Sequence, residues 1–401
     1  MEAESAILMD RHSGIVLWAH NADIERPMAS TTKIMTAMVI LDHGAARLDE
    51  KVRVSAKAAS TGGSWVFKEG DVTTLRNLLI AALIRSSNEA TVAAAEYLAG
   101  DEQTFVGWMN EKATRELGLK HTHFVNPHGL YDKMRGKEHY TTARELAMIT
   151  RYALAHYPLI REIIVMGPVK IDVQPYKWKV LLENHDKIVN QPVPGIPDAV
   201  IDGVKTGFVV PSGRCLVSSA TCHGWQLIAV VLKSPSMFQE NMTLLHYGFS
   251  RFAWRSYAEP GQASAQARVR WGAARTVPVG AASLLGVPIP KEGDPVRDEV
   301  VFREKPGKPL QAPVRKGQVV GTLELHRNGK TIMTTQAIAL DGVPIAWWVY
   351  ALLGLMFVGL FVVCFVVLEQ LYGTRAKITR RRRRVVATSG GKTHRGRQDQ
   401  C

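Results

Sequence analysis

Pro27-Met28-Ala29-Ser30-Thr31-Thr32-Lys33-Ile34-Met35-Thr36 is the stretch on which the reading of this chain turns. Ser30 and Lys33 are three residues apart, so on one helical turn they share a face. Apolar residues follow at once, which sets Lys33 against a core instead of on an open surface. A lysine in a first turn is also opposed by the helix macrodipole. A serine beside a lysine amine can attack a carbonyl where no histidine base is used. At a helix start, Ser30 would also have amide N–H groups beside its own oxygen, a setting that suits a developing oxyanion. The structural alternative is a plain N-cap serine followed by a solvated lysine. This stretch alone does not separate the two.

Two further motifs lie downstream. Ser86-Ser87-Asn88 falls between two apolar runs and reads as a tight interhelical turn. Its plainer use is to cap the helix that follows. Lys205-Thr206-Gly207 follows Asp202-Gly203-Val204 and enters a strand. There the plainer reading is an edge lysine with a turn glycine, whereas a glycine in a strand can also let a ligand approach the backbone. Each motif puts a hydroxyl or amide beside a lysine, and their order and surroundings carry more weight than any one of them.

Around these motifs the pattern is strand, then helix, then strand. Ser5 to Asp10 and Gly14 to Ala19 read as a hairpin. Helices are expected over Ile34–Leu41, over Leu75–Ile84 with Thr73-Thr74 as its cap, and over 90–98, 105–117 and 143–155. Arg214 to Thr221 and Gln226 to Leu232 form a second hairpin, and Met242 to Phe252 a closing helix. Strands at both ends of a helical middle predict an α+β or α/β domain, residues 1–254, whose terminal segments share one sheet, with α+β preferred. From 255 to 342 short alternating runs broken by Gly and Pro predict a small all-β domain, read as a spacer.

Ile345 to Leu368 is 24 residues without a charge, long enough to cross a hydrocarbon core of about 30 Å. Trp347, Trp348 and Tyr350 mark its first end, and Arg375, Lys377 and Arg380–Arg384 follow its second. The basic tail, 369–401, is therefore expected in the cytoplasm and residues 1 to about 344 outside. The segment from Thr388 onward is Gly-, Arg- and Gln-rich and reads as disordered. The chain carries +14, of which +8 lies in the tail, leaving +6 for the other 368 residues. That concentration removes most of the support for a nucleic-acid partner. No signal peptide is visible at Met1-Glu2-Ala3-Glu4, so the expectation is a trimmed or misassigned start, or else a tail-anchored protein. Cys215 and Cys222 are seven residues apart in one expected strand, too far apart to pair, so the cysteines are read as free.

The ensemble resembles the D-alanyl-D-alanine carboxypeptidases, the low-molecular-mass penicillin-binding proteins. The segment from Pro27 to Thr36 is similar to their active-site segment. Ile201 to Phe208, running on to Gly213 and Leu216-Val217-Ser218-Ser219-Ala220, resembles their Lys-Thr-Gly strand and its neighbour. Phe124-x-Asn126-Pro127-x-Gly129-Leu130 and Tyr140-x-Thr142-Ala143-Arg144-Glu145-Leu146 resemble two signatures between them. The resemblance covers residues 5 to about 255 well, and extends loosely into the β-domain through Lys316–Gly321.

It implies a beta-lactamase-like fold and a serine mechanism. Ser30 would be the nucleophile and Lys33 its base, its pKa lowered by burial or by the nearby cation Lys205. Ser86 would relay a proton to the leaving amine. Asn88, Lys205, Thr206, Gly207 and Phe208 would bind substrate, with the N–H groups of Ser30 and Phe208 as the oxyanion hole. Peptidoglycan pentapeptide stems would be the substrate and β-lactams covalent inhibitors, with no metal or cofactor.

Two departures stand out. Ser87 occupies a position where the family often has glycine. Met237 and Phe238 stand where a carboxylate-binding arginine is expected. A D,D-endopeptidase would use the same three motifs. A β-lactamase is disfavoured by the anchor and by the lack of a convincing glutamate between the second and third motifs. A silent wall-binding protein is disfavoured by the intact motifs.

Overall fold

The protein is described here by a computed structural model covering residues 1–63, 66–131, 138–293, 296–305 and 309–388. Its contacts divide it into two units, Met1–Tyr257 with Gly286–Asp298, and Ala258–Leu285 with the chain from Glu299 onward.

The first unit opens with the hairpin β1 (Ser5–Asp10) and β2 (Val16–His20). Two short pairs follow, β3 (Lys51–Arg53) with β4 (Val72–Thr74), and β5 (Val169–Ile171) with β6 (Val180–Leu182). The strands β7 (Pro192–Val193), β8 (Ile196–Val209), β9 (Gly213–Cys222) and β10 (Trp225–Ser234) complete one antiparallel sheet. Its order is β2-β1-β10-β9-β8-β7. The amino-terminal hairpin therefore closes onto β10, with Ser5 paired to Leu232, as strands at both ends of a helical middle predict.

The sheet is buried on both faces, and the side-chain period of two sorts its residues. Ile228, Val230 and Leu232 of β10 join Ile7 and Met9 of β1 in the core beneath the helices. Leu227, Ala229 and Val231 join Ala6 and Leu8 in a second core on the opposite face. The helical layer holds α1 (Lys33–Gly44), α2 (Ala56–Ser60), α3 (Leu75–Ile84), α4 (Asn88–Ala99), α5 (Glu102–Glu111), α6 (Ala143–His156) and α7 (Pro158–Ile164). The second core is covered by α8 (Met237–Arg251) through Leu244, Leu245 and Phe249. At Gly248 a Cβ would lie 2.4 Å from Leu227 Cδ1, so the bare backbone sets how close α8 lies to the sheet.

The expected cap is present, with Thr74 accepting from Asn77 N, and Thr142 caps α6 by accepting from Glu145 N. The helix expected over 105–117 is α5 followed by a π-helical turn, Lys112–Glu116. The closing helix starts five residues earlier than expected, at Met237. Cys215, Cys222 and Cys364 are free, while Cys401 lies outside the described residues.

Past α8 the chain forms β11 (Phe252–Ala258). In the second unit, β12 (Ala263–Arg268) and β13 (Thr276–Ala281) follow. The chain then forms β14 (Leu285–Pro290), which pairs with β11. The second unit continues with β15 (Asp298–Glu304), β16 (Val319–Arg327) and β17 (Lys330–Ala339), in a sheet ordered β12-β13-β17-β16-β15. The last helix, α9, runs from Trp347 to Thr388. Its apolar part, Trp347–Tyr372, has mean hydropathy 3.0 and no buried residues. It is the one helix among the described residues long and apolar enough to cross a membrane. The basic run continues it as helix to Thr388, and the rest of the expected tail lies outside the described residues.

Candidate active site

Ser30 stands in a tight 3₁₀ turn, Ala29–Thr32, and Lys33 begins α1. The threonines explain the tightening. Thr31 Oγ1 donates to Met28 O and Thr32 Oγ1 to Ala29 O, each at 2.6 Å, drawing the chain into a closer turn than an α-helix makes. Ala29 is held at φ +49°, a left-handed conformation costly for alanine.

Lys33 is fully buried, and its Nζ has three neighbours: Ser30 Oγ at 2.9 Å, Asn88 Oδ1 at 2.7 Å and His128 O at 2.8 Å. A neutral amine has two N–H donors and one lone pair. Asn88 and His128 offer only acceptors, so they take the two N–H groups, and the lone pair is left for the Ser30 hydroxyl. A protonated amine donates to all three. The same geometry therefore serves before and after a proton moves from Ser30 to Lys33. Burial holds the Lys33 ammonium well below the usual lysine range, Lys205 lowers it further, and Glu89 opposes.

The wall behind Lys33 comes from the Asn126–Leu130 loop. Asn126 Oδ1 accepts from Gly129 N at 2.7 Å, its Nδ2 donates to Leu130 O, and Thr36 Oγ1 donates to Pro127 O. Asn126 is thus a positioning residue that the sequence reading noted only as part of a signature. His139 Nδ1 accepts from Val125 N, so its Nε2 carries the proton and donates to Thr32 Oγ1 at 2.8 Å. Burial keeps this ring neutral, with a pKa down to about 3. Gly129 lies at φ +85°, and a Cβ there would be 1.9 Å from Ala29 O. Gly129→Ala is expected to destabilise the fold by about 3 kcal/mol and to displace the Ser30 turn. Urea unfolding and the penicillin-labelling rate check both effects.

Ser86, at φ +61°, reaches the groove, whereas Ser87 is the N-cap of α4 and accepts from Ala90 N at 3.2 Å. The capping and site readings of this motif therefore hold for different residues. Ser87 lies at φ −61°, so its backbone does not call for glycine. Asn88 holds Lys33 with its oxygen and donates from Nδ2 to Gly62 O at 2.8 Å.

Lys205 is buried within β8, and its Nζ donates to Thr206 O at 3.0 Å. Burial pushes it down to about 7, against the opposing pull of the Asp186 carboxylate. Burial in turn raises Asp186 to about 6. Gly207 serves close packing: a Cβ there would lie 3.1 Å from Ser30 N and 3.2 Å from Met28 O, so the strand rests directly on the Ser30 turn.

Ser30, Ser86, Asn88, Thr206, Gly207 and Phe208 line one groove of about 1050 Å³, with Lys33 and Lys205 buried at its base. Met237 and Phe238, the first residues of α8, line it too, so the start of α8 brings no cation there. Cations enter from elsewhere, as Arg85, Lys187 and Arg214. Arg214 pairs with Phe208 in the β8–β9 register, and its Nη1 donates to Pro235 O at 3.2 Å. Glu183 is also on the wall. Among the described residues no group of three or more His, Cys, Asp or Glu could hold a metal ion.

Residues 1–236 match the family model of the D-alanyl-D-alanine carboxypeptidases. The chain belongs to that family. It is a serine peptidase, and residues 252–344 match the C-terminal domain of penicillin-binding protein 5. The D-alanyl-D-alanine carboxypeptidase DacF of Bacillus subtilis is 32% identical, over 84% of this chain and 85% of the relative. DacC of Escherichia coli is also 32% identical, over 86% and 84%. Penicillin-binding protein 5 of Haemophilus influenzae superposes with TM-score 0.67 at 29% identity, over 86% of this chain and 98% of that one. A D-alanyl-D-alanine endopeptidase of Pseudomonas aeruginosa is 31% identical, over only 57% of this chain and 70% of its own.

Proposed function

We propose that the chain removes the terminal D-alanine from peptidoglycan stem peptides through an acyl-enzyme on Ser30. The observation that carries this is the three-partner setting of the buried Lys33 amine, with Ser30 Oγ at 2.9 Å. Neutral Lys33 takes the Ser30 proton as Oγ attacks the carbonyl of the penultimate residue. The N–H groups of Ser30 and Phe208 receive the oxyanion, Ser86 gives its proton to the leaving amine and takes back the one held by Lys33, and water then hydrolyses the ester with Lys33 again as base. Thr206 and Lys205 draw the terminal carboxylate, and Asn88 orients both Lys33 and the substrate amide. β-Lactams acylate the same serine.

Carboxypeptidase action is favoured over endopeptidase action because the matches to carboxypeptidases run through the β-domain, while the endopeptidase match covers little more than half the chain. Turnover of a free pentapeptide against a cross-linked dimer tests that preference. Faster cleavage of the dimer reverses it.

Arg214 is the cation we assign to the terminal carboxylate in place of the missing loop arginine. Arg214→Gln is expected to lower kcat/KM for a free-carboxylate peptide about tenfold, in line with loss of one charge-assisted hydrogen bond. The same peptide with an amidated end should be turned over equally by both enzymes. An equal loss on both peptides would remove Arg214 from this role.

Helix α9 anchors the protein by a single pass, with residues 1 to about 344 outside a bacterial membrane and the basic tail in the cytoplasm. The aromatic start and basic end of the helix support that direction. Protease added to intact cells should cut the amino-terminal domain; its protection reverses the topology.

A further inference from the structure

The second unit meets its apolar helix without a slack linker. Val314 and Val343 each donate an N–H to the other's carbonyl at 2.9 Å. Ala273 N donates to Pro344 O at 2.9 Å, and Ala346 N to Trp271 O at 2.8 Å. A Cβ on Gly272 would lie 2.7 Å from Val343 Cγ1, so that turn is packed hard against the stalk. Helix α9 begins at the next residue, Trp347. The backbone of the Val269–Arg275 turn is thereby fixed within about one helical turn, roughly 5 Å, of the first apolar residues.

Aromatic and cationic side chains gather at this junction. Trp271 is half exposed, and its ring centroid is 5.5 Å from that of Trp348. Arg270 N donates to Leu310 O and Ala312 N to Arg270 O, which ties a second segment to the turn. Segments 268–275, 311–316 and 341–346 together carry five Lys/Arg, against Asp341 as their one acid. Indole rings favour the headgroup level of a bilayer, and guanidinium groups pair with phosphate. A cationic segment beside a membrane is drawn to anionic lipid.

We propose that this end of the β-domain is a membrane collar. Trp271 with Arg270, Arg275 and Arg315 rests among the headgroups of anionic phospholipid around the point where α9 enters the bilayer. The inference depends on α9 being membrane-spanning. Because the ties are backbone hydrogen bonds, the helix sets the depth of the collar, and the collar fixes the orientation of the β-domain on the membrane.

The test uses the full chain in vesicles of phosphatidylethanolamine and phosphatidylglycerol, doped with a phospholipid carrying a photoactivatable headgroup. Adducts are mapped by mass spectrometry after proteolysis. Adducts are expected on the peptide holding Trp271 and at the start of α9. Adducts on α9 with none on the Trp271 peptide overturn the collar and leave the anchor standing, while adducts on neither overturn both. Replacing phosphatidylglycerol by phosphatidylcholine should lower the Trp271-peptide yield at least threefold relative to α9. An unchanged ratio overturns the anionic headgroup assignment.

Discussion

Ser30→Ala abolishes covalent labelling by a fluorescent penicillin and lowers D-alanine release by at least ~10³-fold, with the fold unchanged. The fold is expected to hold because, among the described residues, the Ser30 side chain has a single bond at stake, to Lys33 Nζ, while Thr31 and Thr32 secure the turn. Labelling on a denaturing gel reads the chemistry, and circular dichroism reads the fold. Equal label on both proteins, or none on the wild type, would sink the mechanism.

The second large effect is that of Lys33→Arg, again about 10³-fold or more on acylation. Arginine keeps a cation at the site but cannot give up its proton, so it cannot accept one from Ser30. The pH dependence follows from the same chemistry. As pH falls through the folded-state pKa of Lys33, the amine charges, its lone pair is lost, and kcat/KM drops. As pH rises through about 7, Lys205 in the free enzyme loses the charge that draws the substrate carboxylate, so kcat/KM drops again. The expected profile is a bell. Lys205→Arg keeps its charge at high pH and should lose the alkaline limb, whatever its absolute rate. A profile still falling above pH 7 in that variant would remove Lys205 from the alkaline limb.

Much of this was legible because the informative signals were local. The i, i+3 spacing of Ser30 and Lys33, the cap at Thr74 and the apolar run of β10 need no knowledge of the tertiary fold. The missing parts depend on distant segments meeting. Arg214 reaches Pro235 only through the register of β9 with β8 and β10. The part that Asn126 plays depends on a loop conformation that carries no periodic pattern. β3 to β6 are three residues each, too short for alternation to be read. That Gly207 also packs on the Ser30 turn was not legible, because that turn lies far away in sequence.

The site joins residue 30 to residue 205 through Gly207 packed on Ser30 N, a span of 175 positions. A chain in which β8 has not yet docked on the turn at Ala29 has no complete groove. Penicillin labelling therefore doubles as a stopwatch for folding: in a refolding time course, each labelled molecule marks a chain in which β8 has already docked on the Ser30 turn.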